Sequence, residues 1–152
     1  MKALVTYFSA EFGVTRKVAE DLAAAIGADL FEIVPEKIYT AADLRWTNPL
    51  ARCNREMLGR RDVPVEGRIA DFDQYDTILI GFPIWYGAAP NVINTFCRGY
   101  PWDGKQVFAF ATSGGSGIGR TAEKLAPYVK GAASVDAKLV HSAVEVKDWV
   151  RL

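Results

Sequence analysis

The sequence contains few of the histidines and cysteines from which many metal sites and all disulfide frameworks are built. Its 152 residues include one histidine and two cysteines. Cys53 and Cys97 have neither metal-ligand nor CxxC spacing, so both are predicted to be reduced cysteines with structural roles. Long hydrophobic runs are absent as well, since none approaches the ~20 residues that span a bilayer. We therefore expect neither a metal site nor a membrane partner.

An excess of charge of either sign is also absent. The 18 Lys and Arg residues balance the 18 Asp and Glu residues, so no global field would attract nucleic acid or an anionic membrane. The first residues lead directly into an apolar run and lack the features of a signal peptide, which predicts a cytoplasmic protein. The length predicts a single domain over residues 1–152. Specificity is therefore expected from a local site.

Six arginines between residues 45 and 68 form a basic run in this otherwise neutral chain. We interpret them as a solvent-exposed face with ion pairs along a helix, although such a run could also bind an acidic partner or a phosphate. They are Arg45, Arg52, Arg55, Arg60, Arg61 and Arg68.

The hydrophobic pattern alternates between buried strands and amphipathic helices. Continuous apolar runs predict strands at 3–8, 30–34, 77–82 and 106–112, with a weaker fifth candidate at 138–141. Helices are predicted at 14–26, 49–58, 119–128 and 145–152. A further helix is predicted after Pro90, with Val92, Ile93 and Phe96 on its inward face. This alternation predicts an α/β protein with a three-layer, doubly wound, five-stranded parallel sheet.

Ligands of doubly wound sheets bind beyond the carboxyl ends of the strands, where the winding reverses. The loop after the first strand, residues 9–15, combines hydroxyl groups, a glycine and the free amides of a helix N-terminus, which suit a phosphate. An ordinary helix capped by serine or threonine would show the same residues. This loop taken alone leaves both interpretations open.

Two further loops at the same edge are rich in aromatic residues and in glycine. Trp85 and Tyr86 lie between glycines and prolines in residues 81–90, where a flat ligand would cover them, although packing on the domain itself is the alternative. Residues 112–119 contain four glycines, which let the backbone approach the edge of a ligand. Three such loops in succession are more specific than any one of them.

These segments resemble the flavodoxin family, in particular its short flavodoxin-like flavoproteins of bacteria. The resemblance is carried by residues 7–9, 15–20, 39–46, 80–85 and 112–117. It implies the strand order 2-1-3-4-5 and FMN as the cofactor. It also implies a phosphate loop of Ser9, Gly13, Val14 and Thr15, a loop beside the isoalloxazine of Pro83, Ile84, Trp85, Tyr86 and Gly87, and a loop along the pyrimidine edge of Ser113, Gly114, Gly115 and Gly117.

The phosphate loop departs from the family pattern in its middle. The usual order is hydroxyl-x-hydroxyl-Gly-x-Thr, whereas Glu11 and Phe12 stand there in this chain and the loop is longer by one residue. A carboxylate beside a phosphate is unfavourable. We therefore expect the longer loop to turn Glu11 toward solvent.

The resemblance implies an electron-transfer flavoprotein that docks transiently with a reductase and an acceptor protein. No catalytic residue is predicted, because the cofactor itself carries the redox chemistry. The alternative is an FMN-dependent reductase of small quinone or nitro compounds, with a pocket walled by Trp46 and Tyr86. A module that binds a phosphorylated ligand without flavin is a third possibility, and the aromatic loop argues against it.

Overall fold

The described residues form a five-stranded sheet with helices on both faces and a small two-stranded sheet. The computed structural model describes residues 2–9, 13–36, 44, 47, 52, 63–85, 88–112 and 117–151. The elements are β1 (Ala3–Tyr7), α1 (Val14–Ile26), β2 (Asp29–Glu32), β3 (Val34–Pro35), β4 (Val65–Glu66), β5 (Thr77–Pro83), α2 (Asn91–Arg98), β6 (Gln106–Thr112), α3 (Thr121–Leu125), β7 (Ser134–Leu139) and α4 (Ala143–Val150), with single 3₁₀ turns at Phe72–Gln74 and Ala126–Tyr128.

The main sheet has the order β2-β1-β5-β6-β7, and every neighbouring pair in it is parallel. Counted along the chain, this is the order 2-1-3-4-5, so the predicted doubly wound fold is confirmed. The winding reverses between β1 and β5, and doubly wound sheets commonly bind their ligands in the crevice beyond the carboxyl ends of the strands at this point. We call the side where the strands end the carboxyl edge and the opposite side the amino edge.

Alternate residues of the central strands enter two separate cores. Ile78, Ile80 and Phe82 of β5 pack with α2 and α3, whereas Leu79 packs with α1 and α4. Because both faces of the sheet are covered, most positions along such a strand are apolar, with Thr6 of β1 and Thr77 of β5 as buried exceptions. For this reason the central strands could be predicted from continuous hydrophobic runs in the sequence.

Gly81 of β5 lies at a close approach between two strands. It pairs with Tyr7 of β1 on one side and with Phe110 of β6 on the other. A Cβ atom at position 81 would overlap the ring carbons of Phe110, a residue that is fully buried. The missing side chain therefore leaves the space that the Phe110 ring occupies.

The predicted helix boundaries hold where a cap is visible in the sequence. Helix α1 spans the predicted residues and ends at Gly27, whose positive φ of 65° suits glycine. Helix α2 turns Val92, Ile93 and Phe96 inward, as predicted.

Cys97, also in α2, is a free and buried cysteine whose pKa is raised by burial. The prediction of a reduced structural residue is confirmed there, and Cys53 lies outside the described residues.

Several predicted boundaries were wrong at the edges of the sheet. The last strand spans 134–139 instead of 138–141, because β7 is an edge strand that alternates apolar residues with Asp136 and Lys138. The predicted strand 30–34 is β2 at 29–32, and the following residues pair antiparallel with β4 in a small second sheet. The apolar run 30–34 does not show that Val34 belongs to a second sheet.

Two helices were also misplaced by the sequence pattern. The predicted helix 119–128 contains only α3, followed by a 3₁₀ turn, because Pro127 has no amide to continue an α-helix. The last helix spans 143–150 instead of 145–152, because the Ser142 hydroxyl caps it by accepting from the Glu145 amide at 3.4 Å.

The arginine run is only partly described. Arg52 is buried, so the interpretation as a solvent-exposed face is wrong for this residue, whose long aliphatic stem allows burial. Arg68 is exposed, donates to the Gly99 carbonyl at 2.7 Å and lies over the Tyr100 ring. The other arginines of the run, the rest of the predicted helix 49–58 and Trp46 lie outside the described residues.

Candidate cofactor site

Among the described residues, the Val14 and Thr15 amides at the N-terminus of α1 have no hydrogen-bond acceptor, and they lie at the carboxyl edge. Gly13 precedes the helix with φ 71° and ψ 22°, and no atom lies within 4 Å of the place where its Cβ would be. The Lys17 amide donates to the Gly13 carbonyl at 3.1 Å, and the amides of Val14 and Thr15 come before this bond. The first turn contains no acidic side chain. Amides of this kind, at the positive end of a helix dipole, favour an anion.

Arg16, in the first turn of α1, is paired with a carboxylate. The Ser9 hydroxyl accepts from the Arg16 amide at 3.3 Å. The Arg16 guanidinium binds both oxygens of Glu32, at 2.7 and 3.1 Å, and lies 6.0 Å from the centroid of the Tyr7 ring. Burial, and next the charge of Glu32, raise the pKa of Tyr7. Because Arg16 is paired with a carboxylate of β2, recognition of an anion would rest on amides and hydroxyls.

Thr112, the last residue of β6, contacts both neighbouring loops. Its hydroxyl oxygen lies 2.7 Å from that of Thr15, and the two residues are only 4% and 2% exposed. Its carbonyl accepts from the Ile84 amide at 2.8 Å. Thr112 was not among the predicted site residues. Its position next to the glycine loop was readable, but its contact with a residue 97 positions away was not.

The loop after β5 holds its tryptophan against the end of β1. Trp85 and Ala88 exchange two backbone hydrogen bonds, at 2.9 and 3.1 Å, around positions 86 and 87. The half-buried Trp85 ring meets Phe8 edge to face, with centroids 6.0 Å apart. Ile84 is buried beside it. These contacts form an apolar wall near the open end of α1.

The structure brings part of the predicted site together. Ser9, Gly13, Val14 and Thr15 surround the start of α1, while Pro83, Ile84 and Trp85 end β5 and begin its loop. Gly117 is exposed, with open space around it, in the segment that leads to α3. The remaining predicted residues lie outside the described part of the chain, as do Glu11 and Phe12. They are Tyr86, Gly87, Ser113, Gly114 and Gly115.

Two negative findings apply to the described residues. They contain no group of three or more His, Cys, Asp or Glu side chains that could hold a metal ion. None of their helices is long and apolar enough to cross a membrane.

The sequence model of the flavodoxin family matches residues 2–152. The chain belongs to the flavodoxin family. This membership agrees with the strand order and with the position of the open helix N-terminus at the crevice between β1 and β5. A search of curated protein sequences finds no significant match.

Solved structures of flavodoxin-like proteins superimpose along nearly the whole chain. Two crystal structures, of proteins assigned as flavoproteins from Bacteroides eggerthii and Bacteroides uniformis, are both 38% identical to it, with TM-scores of 0.90 and 0.89. They cover 99% of this chain and 96% and 98% of their own. A flavoprotein from Lactobacillus acidophilus, crystallised in complex with FMN, is 25% identical, with a TM-score of 0.75 and 98% coverage of both chains.

Proposed function

We propose that the carboxyl edge of the sheet binds FMN and that the protein is an electron carrier. The observation that carries this proposal is the open N-terminus of α1, which Thr112 links to the aromatic loop after β5 through its contacts with Thr15 and Ile84. Amides that can bind an anion, next to an apolar wall, match a flat ligand that ends in a phosphate. Membership of the flavodoxin family and the FMN complex of the Lactobacillus relative support it.

The binding groups divide between the two ends of the cofactor. The phosphate would accept hydrogen bonds from the Ser9 hydroxyl and from the amides of Val14 and Thr15, with Gly13 leaving the space open. The ring would lie along Pro83, Ile84 and Trp85, and by sequence along Tyr86, Gly87, Ser113, Gly114, Gly115 and Gly117. FMN, when bound, supplies the one- and two-electron redox chemistry.

The chain itself contributes binding and electrostatic control. Phe8 and Trp85 exclude water from one side of the crevice, and apolar walls disfavour additional negative charge on a ligand. Arg16 is occupied by Glu32, so it adds little positive charge to offset that effect. The described groups at this edge include hydrogen-bond donors, aromatic rings and the Arg16–Glu32 ion pair. Such groups are suited to hold a redox cofactor that exchanges electrons with partner proteins. We place the protein in the cytoplasm.

A second candidate is a reductase of small quinone or nitro compounds that uses the same FMN site. The balanced charge of the chain favours it, because a carrier gains association rate from complementary charge and here such steering would have to be local. A reductive titration separates the two functions. Two resolved one-electron steps with slow quinone reduction support the carrier. One two-electron step with turnover that saturates in quinone contradicts it.

Cofactor binding is tested by calorimetry of the apoprotein with FMN and with riboflavin. We expect FMN to bind at least about tenfold more tightly, because each charge-assisted hydrogen bond to phosphate is worth about 1.5–3 kcal/mol. Equal affinities would remove the assignment of the phosphate to α1. Absence of FMN binding would overturn the proposed function.

A further inference from the structure

Among the described residues, the hydroxyls of Thr15 and Thr112 leave one buried proton without an acceptor. Two hydroxyl groups carry two protons, and the 2.7 Å bond between them uses one. In the described part of the chain neither hydroxyl has another partner. Burying a hydroxyl proton without an acceptor is unfavourable. An oxygen that arrives with a ligand at the start of α1 would accept it.

The direction of this bond decides which hydroxyl faces the ligand. Thr15 belongs to the first turn of α1, whereas Thr112 lies behind it at the end of β6. If Thr112 donates to Thr15, the Thr15 proton is free to reach an anion at the helix N-terminus. Hydrogen bonds in such a chain polarise one another, and an anionic acceptor strengthens both.

We propose that Thr112 is a positioning residue that donates to Thr15 and thereby directs the Thr15 hydroxyl at the phosphate of FMN. This inference rests on the proposed function. Thr112 also accepts the Ile84 amide through its carbonyl and directly precedes the glycine loop, so it joins the parts of the chain that would hold the phosphate and the ring. Its hydroxyl makes phosphate binding depend on the end of β6.

The test compares FMN and riboflavin affinities of Thr112→Val, which keeps the shape and removes the hydroxyl. We expect FMN to bind about tenfold more weakly, the scale of one lost hydrogen bond to a charged group, and riboflavin to change by less than about threefold. Thr112→Ser restores the hydroxyl and should return FMN affinity to within about threefold of the wild type. Thr112→Ala serves the same comparison if the valine variant does not fold.

A double variant tests the order of donation. Thr15→Val with Thr112→Val should bind FMN no more weakly than Thr15→Val alone, because Thr112 acts only through Thr15. Additive losses, or equal losses for FMN and riboflavin in Thr112→Val, would overturn the inference. In the apoprotein, inorganic phosphate should raise the melting temperature of the wild type more than that of Thr112→Val.

Thr6→Val is the matched control. Thr6 is also a fully buried strand threonine, and its hydroxyl donates to the Phe31 carbonyl at 2.8 Å, away from α1. We expect this variant to lose stability while keeping the ratio of FMN to riboflavin affinity. If the wild type binds neither ligand, the proposed function fails. If it binds FMN and Thr112→Val binds FMN as well as the wild type does, only the inference fails.

Discussion

The two edges of the sheet satisfy their polar groups in different ways. At the amino edge, side chains bond the backbone: the Trp102 indole donates to the Cys97 carbonyl at 2.7 Å, and Lys105 donates to the carbonyls of Phe72 and Tyr75. At the carboxyl edge, the amides of Val14 and Thr15 precede the first bond of α1. Donors without an acceptor among the described residues are available to a ligand, so binding is expected at one edge and stability at the other.

Aromatic packing follows the same division. Phe72 stacks on Tyr100 with centroids 4.6 Å apart and meets Trp102 edge to face at 5.1 Å. The Lys105 ammonium lies 5.1 Å from the centroid of Phe72, so a nearly buried cation is held between a ring and carbonyls. At the amino edge, aromatic rings, a cation and backbone carbonyls therefore contact one another, whereas Val14 at the carboxyl edge is exposed.

The largest effect is expected from Trp102→Ala at the amino edge. Trp102 is 2% exposed, and truncating a buried aromatic residue costs about 3–5 kcal/mol of the free energy of unfolding. Denaturant titration measures the loss. Trp149→Ala is the control, since this half-buried ring has an edge contact with Phe108, and it should lose less. The ratio of FMN to riboflavin affinity should stay unchanged in Trp102→Ala, and a changed ratio would break the division between the edges.

Gly81→Ala tests how far tight packing extends toward the carboxyl edge. The added methyl group collides with the buried Phe110 ring, and overpacking of this kind costs about 1–3 kcal/mol. The double variant Gly81→Ala with Phe110→Leu should lose less stability in thermal unfolding than the sum of the losses of the two single variants. Gly99→Ala, whose added Cβ meets no atom closer than 3.4 Å, is the control and should be milder. Equal losses would show that the ring moves aside.

Tyr75→Phe, at the amino edge, should change how the free energy of unfolding depends on pH in the alkaline range. Burial, together with the hydrogen bond to Asp29 at 2.6 Å, raises the pKa of Tyr75 from 10.0 to about 12. The folded state favours the protonated phenol, so this stabilisation is complete below pH 10 and is lost as pH rises through about 12. We expect an effect of about 1 kcal/mol, because Asp29 is half exposed.

The measurement is the free energy of unfolding between pH 9 and 12. The Tyr75→Phe variant should be less stable than the wild type at pH 9, and the difference should shrink toward pH 12. Tyr128→Phe, a half-buried tyrosine near the same edge, serves as the control for removing a phenol. A constant difference between Tyr75→Phe and the wild type across this range would contradict the prediction.

The smallest effect is expected from Val14→Ala at the carboxyl edge. Val14 is 57% exposed, and its predicted contribution to cofactor binding comes from its amide, which alanine keeps. Stability should change by less than about 0.5 kcal/mol and FMN affinity by less than about threefold. Val144→Ala, at a residue 66% exposed, is the matched control. A tenfold loss of FMN affinity in Val14→Ala would show that the side chain itself binds.

Local patterns in the sequence were sufficient for the elements whose signals lie within a few residues. The apolar runs of β1, β5 and β6 and the spacing in α1 up to Gly27 are such signals, so the order of elements and the strand-end loops could be predicted. Edge strand β7 and the helices beside Pro127 and Ser142 were displaced, because exposed polar residues and caps compete with the apolar pattern there.

The sequence alone determined the fold class and which loops would meet at the carboxyl edge, because strand periodicity and connection handedness depend on local chemistry. Only the tertiary structure decided which side chains meet there. Thr15 contacts Thr112 across 97 positions, and the Phe110 ring fills the space left by Gly81. Register and packing between elements distant in the chain set such contacts, and no pattern along a single element records them.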